Sequence, residues 1–137
     1  MRHLLPFLLA VAFSAAGCAS PGSPDAHALA GRPMVETELF CGASIPGGGA
    51  VSVADWTDFL ATAVTPRFPS GLTVFDAHGQ WREAAGKIAR EDTHVLLILH
   101  EGDAAAEASI AAVIAEYKRR FRQEAVMRVD ARTSVTF

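Results

Sequence analysis

The chain has 137 residues, half of them hydrophobic, with 12 Lys and Arg against 15 Asp and Glu and a formal net charge of −3. That length supports one core and is short for two, and the acid excess gives nucleic acid no electrostatic foothold. Two cysteines exclude a disulfide framework.

At the start, Arg2 and His3 precede an apolar stretch from Leu4 to Phe13, and Ala15-Ala16-Gly17 lead into Cys18. This is the order of an export signal, residues 1–17, and its apolar run is about half of the roughly 20 residues a membrane span needs. The ending resembles a bacterial lipobox, with Ala15 standing where Leu is usual. Lipidation of Cys18 is therefore expected, which anchors the chain to a membrane, and two or more acyl chains make such attachment lasting. Ala19 and Ser20 follow Cys18 with no Asp beside it, a pattern that favours the outer membrane facing the periplasm. The alternative is ordinary cleavage near Ala19 and a soluble periplasmic or secreted form. Residues 18–32, rich in Pro, Gly, Ala and Ser, read as a flexible tether, and residues 33–137 as a single domain.

Within the domain, Met34 to Ile45 alternates as a half-buried first strand, with Val35, Thr37, Leu39 and Cys41 on one face and Glu36, Glu38 and Phe40 on the other. Pro46-Gly47-Gly48-Gly49 breaks it, and Ser52 with Asp55 opens a helix carrying Trp56, Phe59, Leu60, Ala63 and Val64 at helical spacing until Pro66 ends it. A second strand runs from Leu72 to Asp76 and continues irregularly to Arg82, with a turn at Glu83 to Gly86. Ile88 to His100 then returns, and Val95-Leu96-Leu97-Ile98-Leu99 is apolar at both parities, as in a central strand covered on both faces. Ala106, Ile110, Val113, Ile114, Tyr117 and Phe121 mark a second helix, with Lys118, Arg119, Arg120 and Arg122 at the end its dipole favours. A last strand begins at Ala125.

Strand, helix, strand, strand, helix, strand is the βαββαβ order of an α+β, ferredoxin-like fold: a four-stranded antiparallel sheet with two helices on one face. The other face is open and partly apolar, so it needs a cover, either a second copy in a homodimer or an unknown ligand or envelope protein.

Glu36-Thr37-Glu38-Leu39-Phe40, Trp56 with Phe59 and Leu60, Thr65 through Val74, Gly79-Gln80-Trp81-Arg82 and Tyr117 through Phe121 follow one another in an order and spacing that resemble the small exported bacterial proteins of domain-of-unknown-function family 3574. The resemblance covers nearly all of Met34 to Phe137. Cys41 departs from the family's pattern after the aromatic. What the resemblance implies is an intact domain in an exported setting; it implies no reaction.

The candidate binding surface comprises Glu38, Arg67, Phe68, Asp76, Gln80 and Trp81. Arg67, between two prolines, offers a guanidinium for a carboxylate or phosphate, or else pairs with Asp76 or Glu38. Trp81 beside Gln80 offers a plane and an amide to a flat ligand, or else fills a core or dimer contact. Glu36 and Glu38 form a carboxylate pair that Arg128 or Arg132 on a neighbouring strand would neutralise. Asp76 and His78 with His100 form a weak ligand set, and no metal or cofactor is expected. Cys41 reads as a small buried hydrophobe. No catalytic residue is identified. The function expected is a membrane-anchored lipoprotein acting as a binding or interaction module in the cell envelope through its open sheet face. The alternative is a small enzyme of the dimeric ferredoxin-like type, with an acidic and arginine pocket drawn from Glu38, Arg67, Asp76 and His78.

Overall fold

The computed structural model describes residues 31–137. The expected signal peptide, Cys18 and the expected tether as far as residue 30 lie outside the described residues.

Strand β1, Arg32–Gly42, starts two residues before the expected Met34. A short bridge between Ser44 and Ala50 closes the glycine turn that follows. Helix α1, Val53–Phe59, opens as its sequence requires: Ser52 stands at the N-cap and its Oγ accepts the Asp55 backbone N–H at 3.1 Å, meeting one of the free donors of the first turn. The helix then widens into a π-turn over Leu60–Val64, closed by the Thr65 N–H on the Leu60 carbonyl at 2.9 Å. Pro66 supplies the reason, since it has no N–H to continue the ladder.

Strand β2, Thr73–Arg82, and strand β3, Ile88–His100, form a long hairpin, and helix α2, Ala104–Phe121, crosses back to strand β4, Met127–Val135. The sheet order is β2-β3-β1-β4 with every neighbouring pair antiparallel, which is the ferredoxin-like arrangement. Right-handed crossovers from β1 to β2 and from β3 to β4 place α1 and α2 on one face.

The core lies between that face and the helices. Leu39 and Cys41 of β1 and Leu96 and Ile98 of β3 meet Phe59, Val64, Ile110, Val113 and Tyr117, all almost fully buried. Trp56, Phe59, Tyr117 and Phe121 form an aromatic cluster with ring centroids 4.8 to 6.0 Å apart, the range of offset and edge contacts. Tyr117 donates its hydroxyl to the Gly42 carbonyl at 2.9 Å, so its one polar atom is satisfied. Cys41 is buried as expected, and desolvation pushes its thiol up to about 12. Among the described residues no helix is long and apolar enough to cross a membrane.

Candidate functional site

Because side chains alternate along a strand, β1 sends Thr37, Leu39 and Cys41 to the helices and Glu36, Glu38 and Phe40 to the open face. Register then builds that face in rows. Val129, Glu38, Leu97 and Thr73 lie side by side across the four strands, followed by Met127, Phe40, Val95 and Phe75. Glu36 sits between Leu99 and Ala131 in the row above. Trp81 extends the surface along the hairpin on the same parity as Phe75. The apolar side chains are displayed: Phe75 and Trp81 are each 49% exposed, Met127 56% and Val129 44%.

The two carboxylates in the middle of this surface are half-buried and have no ion pair or hydrogen bond among the described residues. They are two residues apart on one strand, about 7 Å. Arg128 and Arg132 were expected to neutralise them and do not, since they pair in register with Leu39 and Val35 and so face the helices. Arg128 instead makes a bidentate pair with Glu107 at 2.8 and 2.9 Å and reaches Asp130 at 2.9 Å.

The remaining candidates separate. Asp76 and Gln80 lie on the helix side of the hairpin, where Asp76 pairs with His94 at 2.7 Å and Gln80 Oε1 accepts from Arg90 at 3.0 Å. Trp56 stacks on the His94 ring at 4.5 Å, which ties that pair to α1. His78 pairs with Asp92 at 2.7 Å. His100 is six residues further along β3 from His94, about 20 Å at 3.3 Å per residue, so it does not join Asp76 and His78 in a ligand set. Nor do Glu38, Arg67, Asp76 and His78 form one pocket, because they occupy two faces and one end of the sheet.

Arg67 and Phe68 stand at that end, in a cleft of about 450 Å³ between the loop after the π-turn, the end of β3 and the start of α2. Arg67 is held by its own helix: Pro66 cannot donate, the Arg67 N–H turns to the Val64 carbonyl at 2.9 Å, and its guanidinium caps the Ala63 carbonyl at 2.6 Å. Among the described residues no acid pairs with it, so neither Asp76 nor Glu38 is its partner.

Behind the cleft runs a polar chain that the sequence pattern did not disclose. Buried His100 accepts the Gly102 N–H on Nδ1 at 3.1 Å, which leaves the proton on Nε2, and this donates to Thr37 Oγ1 at 2.9 Å. Thr37 passes its own proton to Asp130 Oδ1 at 2.5 Å. The hydrogen bond from Thr37, followed by Arg128, holds the Asp130 carboxyl below the usual range. The only available signal was the pair of polar residues, Thr37 and His100, at core parity on adjacent strands.

A family model described as "Protein of unknown function (DUF3574)" matches residues 36–137. No functionally curated protein matches the chain. Solved structures with a similar fold include a phage SAM lyase in complex with S-methyl-5′-thioadenosine, 16% identical, covering 76% of this chain and 90% of that one with a TM-score of 0.57. A phage SAM lyase in the apo state is 12% identical over 77% of this chain and 92% of that one, with a TM-score of 0.53. CutA from Synechococcus elongatus PCC7942 is 10% identical over 76% and 80%, with a TM-score of 0.50. At these identities the likeness is one of fold.

Proposed function

Since the chain belongs to the DUF3574 family of proteins of unknown function, which carries no assigned reaction, we propose that it is an interaction module whose open sheet face binds a cationic, amphipathic polypeptide segment of a partner. The observation that carries this reading is the unpaired Glu36 and Glu38 set among Phe40, Leu97, Leu99, Met127 and Val129. Four strands at about 4.8 Å and eight residue pairs at about 3.3 Å give a face of roughly 500 Å² in all, comparable to the largest patch on an ordinary monomer, which is often functional. The apolar rows supply the driving force, and the carboxylates select for Lys or Arg on the segment. A sheet-to-sheet homodimer would cover the same area, but one whose two-fold axis passes near the centre of the face would oppose the glutamates of two copies. At about 6 Å and an effective dielectric near 20, each such contact costs about 3 kcal/mol.

The reading includes an envelope address, with acylated Cys18 holding the domain at the outer membrane by a short tether and raising its effective concentration near membrane-bound partners. Its support is the leader sequence, and mass spectrometry of the mature N-terminus tests it: an acylated Cys18 is expected, and an unmodified later start overturns the anchor.

The face itself is tested with the full chain and a synthetic Leu/Lys amphipathic helix, alongside the same helix with Glu in place of Lys. Binding of the Lys peptide that weakens with salt and falls about tenfold in the Glu36→Gln, Glu38→Gln double variant is expected. Equal binding by the double variant, equal binding of the Glu peptide, or a stable dimer in light scattering that Trp81→Glu dissociates would overturn it.

A further inference from the structure

The end cleft adjoins the open face, with which it shares Leu99, and we infer that it is a binding site for a small amphiphilic anion, a carboxylate or phosphate head on an apolar body, with Arg67 as the residue that takes the head group. The cavity of about 450 Å³ lies within the range of small-molecule sites. Its walls are mostly apolar, with Met34, Phe68, Pro69, Leu99 and Ala106 among them.

Charge within the cleft is uneven. Arg32 is consumed by an ion pair with Glu101 at the rim. His100, the other titratable group on the wall, has both ring nitrogens engaged, by Gly102 and Thr37. Among the described residues lining the cleft, Arg67 alone presents a cation without an acid partner, and a bond to its own helix holds it. One Nη1 bond to the Ala63 carbonyl holds the guanidinium, while a planar fork has further donors to offer. The first turn of α2 also lines the cleft through Ala105 and Ala106, but the carboxylate of its N-cap Asp103 offsets the positive end of the helix dipole, so the cationic character of the cleft rests on Arg67. Asp103 at the N-cap spends its carboxylate on the Ala106 N–H at 2.8 Å. An anion that entered would exchange water for a charge-assisted hydrogen bond at one end and apolar burial at the other. A neutral or cationic molecule of the same shape would gain only the burial.

The test is calorimetric titration of the full chain with octanoate, octyl phosphate, octan-1-ol and octylamine. Saturable binding of at least one anion is expected, tighter than octanol by about tenfold or more, the worth of one charge-assisted bond. The tighter of octanoate and octyl phosphate identifies the head group. Arg67→Gln keeps a donor for the Ala63 carbonyl and removes the charge, so the fold should persist, by circular dichroism and melting temperature, while anion binding drops to the level of octanol. Ala105→Leu fills the cleft without changing charge and should abolish binding of all four. The Glu36→Gln, Glu38→Gln variant, which removes only negative charge beside the shared Leu99, should bind the anions at least as tightly as wild type while losing the open-face peptide, and this distinguishes the two sites. No binding of either anion up to about 10 mM, a Kd near 3 kcal/mol of binding free energy, would overturn the proposal. So would equal binding of octanol, or unchanged anion affinity in folded Arg67→Gln.

Discussion

Replacing Thr37 with Val exchanges a hydroxyl for a methyl at a fully buried position while keeping the β-branched shape that suits a strand. Two bonds go at once: the His100 Nε2–H loses its acceptor inside the core, and Asp130 loses a donor 2.5 Å away. An orphaned buried donor costs about 1–3 kcal/mol, and a bond to a charged group contributes about 1.5–3 kcal/mol. The new methyl returns about 0.8 kcal/mol. The net loss is about 2–5 kcal/mol, which for a domain of this size lowers Tm by roughly 10–25 °C. Thermal unfolding followed by far-UV circular dichroism at pH 7 measures it.

The pH dependence gives a second readout of the same substitution. Asp130 titrates below its ordinary value in the folded protein, chiefly through Thr37 and then Arg128. A lowered carboxyl contributes stability that is present above its unfolded value near 4 and is lost as pH falls through the folded value. Without Thr37 that contribution shrinks, so the gap between wild type and variant should be widest at neutral pH and narrow below about pH 4. A Tm within about 2 °C of wild type at pH 7 would refute the reasoning, because it would mean that the hydroxyl carries no bond the core depends on.

Gly42→Ala should destabilise the domain by at most about 1 kcal/mol in urea unfolding, because a Cβ there would lie 2.6 Å from Glu91 Oε1 and displace the end of that flexible side chain from the exposed Ser44 N–H it accepts at 3.1 Å. Adding Glu91→Ala should relieve most of the clash, and equal loss in single and double variants would count against it. With its thiol pushed up to about 12, Cys41 should resist iodoacetamide in the folded chain at pH 8 and react after unfolding in guanidinium, as read by peptide mapping. Arg119 and Arg120 hold the Glu116 carboxyl near about 2. Its NMR titration should therefore fall near that value and move upward in the Arg119→Ala, Arg120→Ala double variant. A midpoint unchanged by the double substitution would show another cause.

Periodicity by itself located the strands and helices, because each repeats one face against one core. Leu39 and Cys41 alternate, Ile110, Val113, Tyr117 and Phe121 recur at helical spacing, and Val95 to Leu99 is apolar at both parities. The ferredoxin-like order followed from those elements, as did the burial of Cys41 and the placing of Glu36 and Glu38 on an open face. Composition and the leader defined an expected address. Distances across the sheet were not encoded in this way. Whether Arg128 meets Glu38 or Glu107 depends on the parity at which β4 pairs with β1, and a shift of one residue would exchange the answers. Asp76 and His78 sit on one strand, but their partners, His94 and Asp92, come from the hairpin register, and His100 is removed from them by the length of β3. The chain from His100 through Thr37 to Asp130 joins three strands and exists only once β1 lies between β3 and β4. Arg67 shows both contributions. Two flanking prolines mark it as a fixed cation in the sequence, whereas its lack of an acid partner among the described residues and its place at the mouth of a cleft arise from where α2 and the end of β3 come to rest.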